Sequence, residues 1–426
     1  MLLSELAIML GVIIAFIVII FLIRKQFNFG ASLIIGSLIL GVFSLQTIQP
    51  VDIPKAMVEA TIYSFEKQQL VTETIELALL MTLIYVLAKS MQETGSIKKL
   101  ISSLRTIFSK GGILGVTPAV YGLMPVPGGA LFSAPMLDEE GDKYKLDKNQ
   151  KNMLNMWFRH IWFPVYPISS AMILICSTKF SDINIYSLML INMPAFIASI
   201  LIGLFLLKKF IGKTDKQNGE KREYNGLIYL IPPVTPLFFY GVLRIVDFPE
   251  TTSFLIGIIV SIVVLYFLTK IKVKEYLQIL KKSLTWKLAL AIFGIMIFRQ
   301  MFEVSKANEI IAGIIGGFSA PALAMIILIP LLLGFITGYN LGAIALSYFL
   351  VQPFFQATGL SILGLTSIIF ISSLVGYLIS PIHLCNVLSS DYLKTDPTRI
   401  YKFFVPSALS LIVIQVLFVF LIGLFQ

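Results

Sequence analysis

The chain has two histidines, and each stands beside prolines inside a long apolar stretch. His160 follows Arg159 and precedes Pro164 and Pro167, while His383 follows Ser380 and Pro381. A further break in apolar sequence lies ahead of each. The first reads Met-Pro-Val-Pro-Gly-Gly-Ala over 124–130, and the second reads Gly-Phe-Ile-Thr-Gly-Tyr-Asn-Leu-Gly over 334–342. Pro125 and Pro127 remove backbone donors, and Gly128 and Gly129 permit positive φ, so a helix arriving from 112 must stop here. A helix restarting at Ala130 presents free N–H groups and the positive end of its dipole, which suits an anion. In the second break Thr337, Gly338, Asn340 and Gly342 add a hydroxyl and an amide that can coordinate a solute or a cation. No metal is assigned beyond a sodium ion that Gly128, Thr337 and Asn340 could hold. A simple helix kink is the alternative at both breaks. Arg159 has two readings as well. Inside a bilayer its fixed charge must be paired or wet, and it would meet a carboxylate; alternatively it snorkels to the cytoplasmic interface while His160 packs. Arg244 and Arg299, near outer span ends, read as snorkelling residues.

The elements that must hold these residues are membrane spans. Hydrophobic residues make up 57% of the chain and charged residues 13%, against about half and a quarter in soluble domains. Apolar runs such as 6–23, 185–207, 254–268 and 403–425 recur from end to end, each near the length that crosses hydrocarbon. The first is one of many, so it reads as a span and not as a signal peptide. A formal charge of +10 is explained by basic residues in cytoplasmic loops, and no nucleic-acid partner is expected. Cys176 and Cys385 fall near span ends on opposite sides, where packing is their expected role. No Asp or Glu falls mid-span, which favours an anionic solute over a metal ion as cargo.

Loop charges are consistent if 111–137 and 312–356 are re-entrant hairpins that return to the side they left. The fold class is then an all-α polytopic membrane protein, an inverted repeat of two five-span halves, each with a re-entrant hairpin and a broken helix. The first repeat is 1–207, with scaffold spans in 1–91 and a broken span at 153–178; a cytoplasmic linker covers 208–225. The second is 226–426, with scaffold spans in 226–303 and a broken span at 361–385. Apolar stripes at 97–108 and 273–284 read as helices lying on the cytoplasmic membrane surface, and both termini fall outside. Gly129 and Ala130 echo Gly342 and Ala343 at an offset of about 213 residues. Six full spans per half, giving a parallel repeat, is the alternative.

Three stretches carry a family resemblance: 122–135 (Gly-Leu-Met-Pro-Val-Pro-Gly-Gly-Ala-Leu-Phe-Ser-Ala-Pro, with Ser133), 157–162 (Trp-Phe-Arg-His-Ile-Trp) and 380–385 (Ser-Pro-Ile-His-Leu-Cys). They resemble the prokaryotic membrane family called domain of unknown function 401, itself similar to the ion-transporter superfamily of gluconate, citrate and dicarboxylate permeases. That likeness implies a homodimer in the inner membrane, with a scaffold from the first three spans of each half and a mobile domain of hairpins and following spans. Better-known branches carry Ser-Asn-Thr at both hairpin tips, whereas this chain has Pro-Gly-Gly and Thr-Gly-Tyr-Asn. The functional expectation is a secondary transporter, not an enzyme, moving a small organic anion such as a carboxylate by alternating access with Na+ or H+ coupling. Its site is expected at Pro125, Pro127, Gly128, Gly129, Ala130, Ser133, Arg159, His160, Thr337, Gly338, Asn340, Gly342, Ser380 and His383. An intramembrane enzyme or a channel are the rivals. No metal-ligand helix motif, Gly-x-Ser-x-Gly turn or intramembrane aspartate pair supports the former.

Overall fold

A computed structural model describes residues 3–108, 111–123, 129–211, 224–316 and 321–424. Pro125, Pro127, Gly128 and most of the charged linker fall outside the described residues. Apart from a small ribbon pairing Tyr63–Ser64 with Gln69–Leu70, every regular element described is a helix. Leu, Ile, Val and Phe dominate these helices, because in hydrocarbon a chain must satisfy its backbone within each segment. Eight of the described helices are long and apolar enough to cross a membrane. Their burial separates periphery from centre. The windows in Leu3–Arg24 and Tyr401–Gly423 are 28% buried, leaving one side for lipid, whereas that of Ile362–Leu393 is 83% buried and lies inside the helical assembly.

Seven of the eight coincide with spans expected from sequence, and the eighth, Asn340–Thr358, lies in the second hairpin. The three remaining spans are helices with a departure from the simple pattern. Phe29–Phe43 is short, Trp286–Val304 carries Lys287, Arg299 and Glu303, and the fourth is interrupted between Lys148–His160 and Ser170–Cys176. The first hairpin is formed by Gly112–Gly122 and Ala130–Asp142, the second by Ala322–Thr337 and Asn340–Val351. Residues at the start of the expected second hairpin belong instead to a separate helix, Ala307–Gly316. The second broken span also runs further than expected, as Ile362–Ile379 followed by Leu384–Leu393.

Elements from the two parts of the chain interlock. Phe29–Phe43 packs on Trp286–Val304, and Thr72–Glu93 on Glu250–Thr269. Around the hairpins, Leu384–Leu393 packs on both Ala130–Asp142 and Lys148–His160, and Met193–Ile211 on Tyr401–Gly423. A close crossing joins Ala322–Thr337 to Ile362–Ile379. A Cβ on Gly376 would lie 2.0 Å from the Leu331 carbonyl oxygen, and one on Gly334 would lie 2.5 Å from that of Ser373.

The two amphipathic stripes behave differently from each other, and the first departs from expectation. In Ser96–Ile107 the apolar residues Ile97, Leu100, Ile101 and Leu104 are buried against protein, including the turn Asn225–Leu230. That helix therefore docks on its own chain and does not offer this face to lipid. In Val273–Ser283 only Tyr276 of the stripe is buried, its hydroxyl donating to the Ile262 carbonyl at 2.7 Å, while Val273 and Leu277 are exposed.

Candidate functional site

Helix Gly112–Gly122 ends in the interior, where its last carbonyls need donors. The broken span supplies them. Arg159 Nη1 donates to the Tyr121 carbonyl at 2.8 Å, and the Tyr166 hydroxyl donates to the Leu123 carbonyl at 2.5 Å. Gly122 allows this approach, since a Cβ there would sit 2.1 Å from the Arg159 carbonyl oxygen. Arg159 is 2% exposed, and its guanidinium lies against the start of the returning helix: a Cβ on Gly129 would be 2.0 Å from Nη2. Gly129 has φ −60, an ordinary helical value. The positive φ expected at this residue is absent; glycine instead leaves the space that the guanidinium occupies, and a side chain here would have to displace it.

At the second tip the conformational reason holds. Gly338 ends Ala322–Thr337 with φ 58, in the left-handed region, and its N–H bonds the Gly334 carbonyl at 2.9 Å. Ser380 Oγ donates to the Phe335 carbonyl at 2.6 Å. Thr337 Oγ1 bonds back to the Leu333 carbonyl at 2.6 Å, and Asn340 Oδ1 accepts from Ser373 Oγ at 3.0 Å. Gly342 faces the Phe29 ring. Allowing for an offset of about 214, Ser380 matches Tyr166 and caps its hairpin in the same way, whereas the residue matching Arg159 is the neutral Ser373. Among the described residues, a buried guanidinium stands at the first tip, whereas at the second Ser373 bonds Asn340.

The two broken spans meet at their breaks. His160 and His383 rings lie 4.9 Å apart between centroids, with Tyr377 4.0 Å from His383 and Phe163 4.9 Å from His160. His160 Nδ1 is 2.7 Å from the Met156 carbonyl. Cys385 completes the cluster, buried beside both rings.

One turn further along, a polar network joins the same helices. Asn155 Nδ2 donates to Ser389 Oγ at 2.8 Å and to the Ala130 carbonyl at 3.0 Å, while its Oδ1 accepts from Ser133 Oγ at 2.6 Å. Asn152 Nδ2 donates to Ser390 Oγ at 2.9 Å, and Asn152 Oδ1 accepts from Ser389 Oγ at 2.6 Å. All these side chains are buried, where every lost partner leaves a desolvated polar group. Ser133 is thus committed to Asn155 and the helix backbone.

A cavity of about 860 Å³ opens near the helix ends that sequence assigns to the outside. It is lined by Glu73, Glu76, Lys179, Arg244, Glu250 and Arg299 among others. Lys179 pairs with Glu73 at 3.2 Å, the Tyr240 hydroxyl donates to Glu250 at 2.9 Å, and Arg299 pairs with Glu303 at 2.5 Å. Arg244 and Arg299, read from sequence as snorkelling toward headgroups, face this polar space.

The structure thus brings Gly129, Ala130 and Arg159 together, groups Thr337, Gly338, Asn340 and Ser380 around the second tip, and joins His160 to His383. Sequence reading missed Cys385, Asn152, Asn155, Ser389 and the cavity. The asparagines had a signal, three residues apart on one helix face; the cavity, assembled from separated loops, had none.

The sequence matches the family described as Protein of unknown function (DUF401) over residues 3–422. No curated protein matches it. Among solved structures the chain is similar to the YdaH transporter of Alcanivorax borkumensis, whose crystal structure is described as revealing an unusual topology. The TM-score is 0.57 at 12% identity, over 91% of this chain and 98% of that one, a likeness of fold.

Proposed function

Since the chain belongs to the DUF401 family, whose function is unknown, we propose a role from its site and fold: secondary active transport of a small organic anion, with a carboxylate as the favoured class. The observation that carries this reading is the Arg159 guanidinium, buried against the N-terminal start of Ala130–Asp142. There it stands between two helix ends, donating to the Tyr121 carbonyl at the negative end of Gly112–Gly122 and lying against the positive end of Ala130–Asp142. An anion placed there meets both the guanidinium and the first free N–H groups of the helix. A carboxylate matches the planar fork of arginine. The second tip, with Thr337, Gly338 and Asn340, closes the site from the other half or holds a coupling sodium ion; a proton is the other coupling ion.

Alternating access needs a fixed part and a moving part. The interlocked spans of 1–91 and 226–303 form the scaffold, and the hairpins with their broken spans form the moving part, in inverted halves and in a homodimer. The polar cavity gives solute a wet approach on one side. The fold likeness to a transporter supports this arrangement.

Two measurements test it. Proteoliposomes preloaded with unlabelled mono-, di- or tricarboxylates are expected to accumulate labelled solute in counterflow, with accumulation that responds to a sodium or pH gradient. Flux without counterflow would indicate a channel, and inertness to every carboxylate would remove the substrate class. For the inversion, cysteines replacing the exposed Lys148 and Gln356 follow the first and second hairpins. They are expected to label from opposite sides of sealed cells, Lys148→Cys from the cytoplasm; labelling from one side would make the repeat parallel.

A further inference from the structure

His160, His383 and Cys385 stand where the two broken spans meet, and their ligating atoms lie within 4.8 Å of one another. All three are sealed from solvent, at 4%, 0% and 3% exposure. From this we propose that the cluster is a metal site for a soft monovalent cation, copper(I), bound by two imidazole nitrogens and one thiolate.

The orientation of His160 is that of a ligand. A carbonyl can only accept, so the ring nitrogen facing the Met156 carbonyl at 2.7 Å, Nδ1, carries the hydrogen. In the neutral ring Nε2 is then the lone pair, and metal-bound histidines are commonly fixed by such a carbonyl. No hydrogen bond of ordinary geometry reaches His160 Nε2 or either nitrogen of His383. The Cys385 sulfur lies close enough to interact with both rings. Buried nitrogens without partners are costly, and a cluster of them around a thiol is explained by a shared ion better than by packing.

Charge and geometry select the ion. One thiolate with a monovalent cation and two neutral imidazoles is neutral overall, which a buried site beside Arg159 tolerates. A divalent ion would leave a net positive charge next to that guanidinium. Structural zinc also asks for four ligands, whereas three are present here among the described residues. Thiolate and imidazole are donors that soft copper(I) accepts. A trigonal site with bonds of about 2.0–2.3 Å holds its donors roughly 3.7 Å apart. The cluster therefore closes by about an ångström on binding, within reach of side-chain rotation. Such an ion would pin the end of Lys148–His160 to the start of Leu384–Leu393. It would also withdraw both histidines from carrying a coupling proton.

The test does not depend on transport. Full-length protein in detergent is loaded anaerobically with copper(I) in the presence of a copper(I) chelator, desalted and analysed for metal. Copper is expected at about one per chain, with an X-ray absorption spectrum of one sulfur and two nitrogen neighbours. Cys385→Ser and His383→Gln are expected to lower retention at least about fivefold, while Cys176→Ser retains the wild-type value. The spectrum is read on the wild-type protein, so a variant that fails to fold does not decide the matter. Retention no higher than in Cys385→Ser, a spectrum with two sulfurs or none, or preferential retention of zinc(II) would overturn the proposal.

Discussion

Replacing Arg159 by glutamine is expected to weaken binding of the carried carboxylate by on the order of tenfold to several hundredfold, the loss of one charge-assisted bond in a partly dehydrated site. Lysine should restore only part of the affinity, because it keeps the charge and loses the planar fork. Geometry supplies a companion variant that leaves the arginine in place. Since a Cβ on Gly129 would overlap Nη2 at 2.0 Å, Gly129→Ala should displace the guanidinium and mimic Arg159→Gln, while the protein still elutes as a single species. The measurement is the dissociation constant of the best carboxylate from the counterflow panel, in purified protein. Equal affinities in wild type, Arg159→Lys and Arg159→Gln would reduce Arg159 to a cap on the Tyr121 carbonyl and send the search for the anion site elsewhere.

The second large effect concerns folding. At the crossing of Ala322–Thr337 with Ile362–Ile379, backbone rests on backbone, and a methyl on Gly376 would lie 2.0 Å from the Leu331 carbonyl oxygen. Neither partner is a flexible side-chain end, so the helices must part, and overpacking of this kind is strongly destabilising. Gly376→Ala is expected to cost about 4 kcal/mol, enough to shift most of the protein to aggregate in fluorescence-detected size exclusion. Gly313 provides the control. It lies on a helix with nothing within 4 Å of its Cβ position, so Gly313→Ala should behave as wild type. A monodisperse, thermally unchanged Gly376→Ala protein would mean that the two helices can separate at this crossing without loss.

Hydrophobic runs of spanning length made most of the spans legible, because a lipid-facing helix such as Tyr401–Gly423 owes its composition to the solvent around it. The helix breaks were legible for the opposite reason: proline and glycine free backbone groups that hydrocarbon cannot satisfy, so inside apolar sequence they mark a break shielded by protein or water. What remained hidden was set by partners distant in sequence. The stripe of Ser96–Ile107 looks the same whether it meets lipid or protein, and only its docking on Asn225–Leu230 decides. Cys385 stands two residues from His383, but its proximity to His160 depends on a second break more than two hundred residues earlier. The sequence reading of Gly129 rested on positive φ, but its backbone is ordinary, and its closeness to Arg159 appears only once that side chain is placed.

The polar network has a consequence for how the chain is made. Asn152 and Asn155 are donors and acceptors committed to Ser389 and Ser390, more than two hundred residues later. While the ribosome is still producing the intervening segments, Asn155 has its bonds to Ala130 and Ser133, but Asn152 lacks both of its serine partners. The amino-terminal half therefore waits in an unfinished state and must be shielded by the insertion machinery or by water until the carboxyl-terminal half arrives. The packing of Leu384–Leu393 on Lys148–His160 can form only after both segments have been made, so it is a late contact in assembly. A protein truncated before that helix would be a substrate for membrane quality control even though nearly all its spans had been inserted.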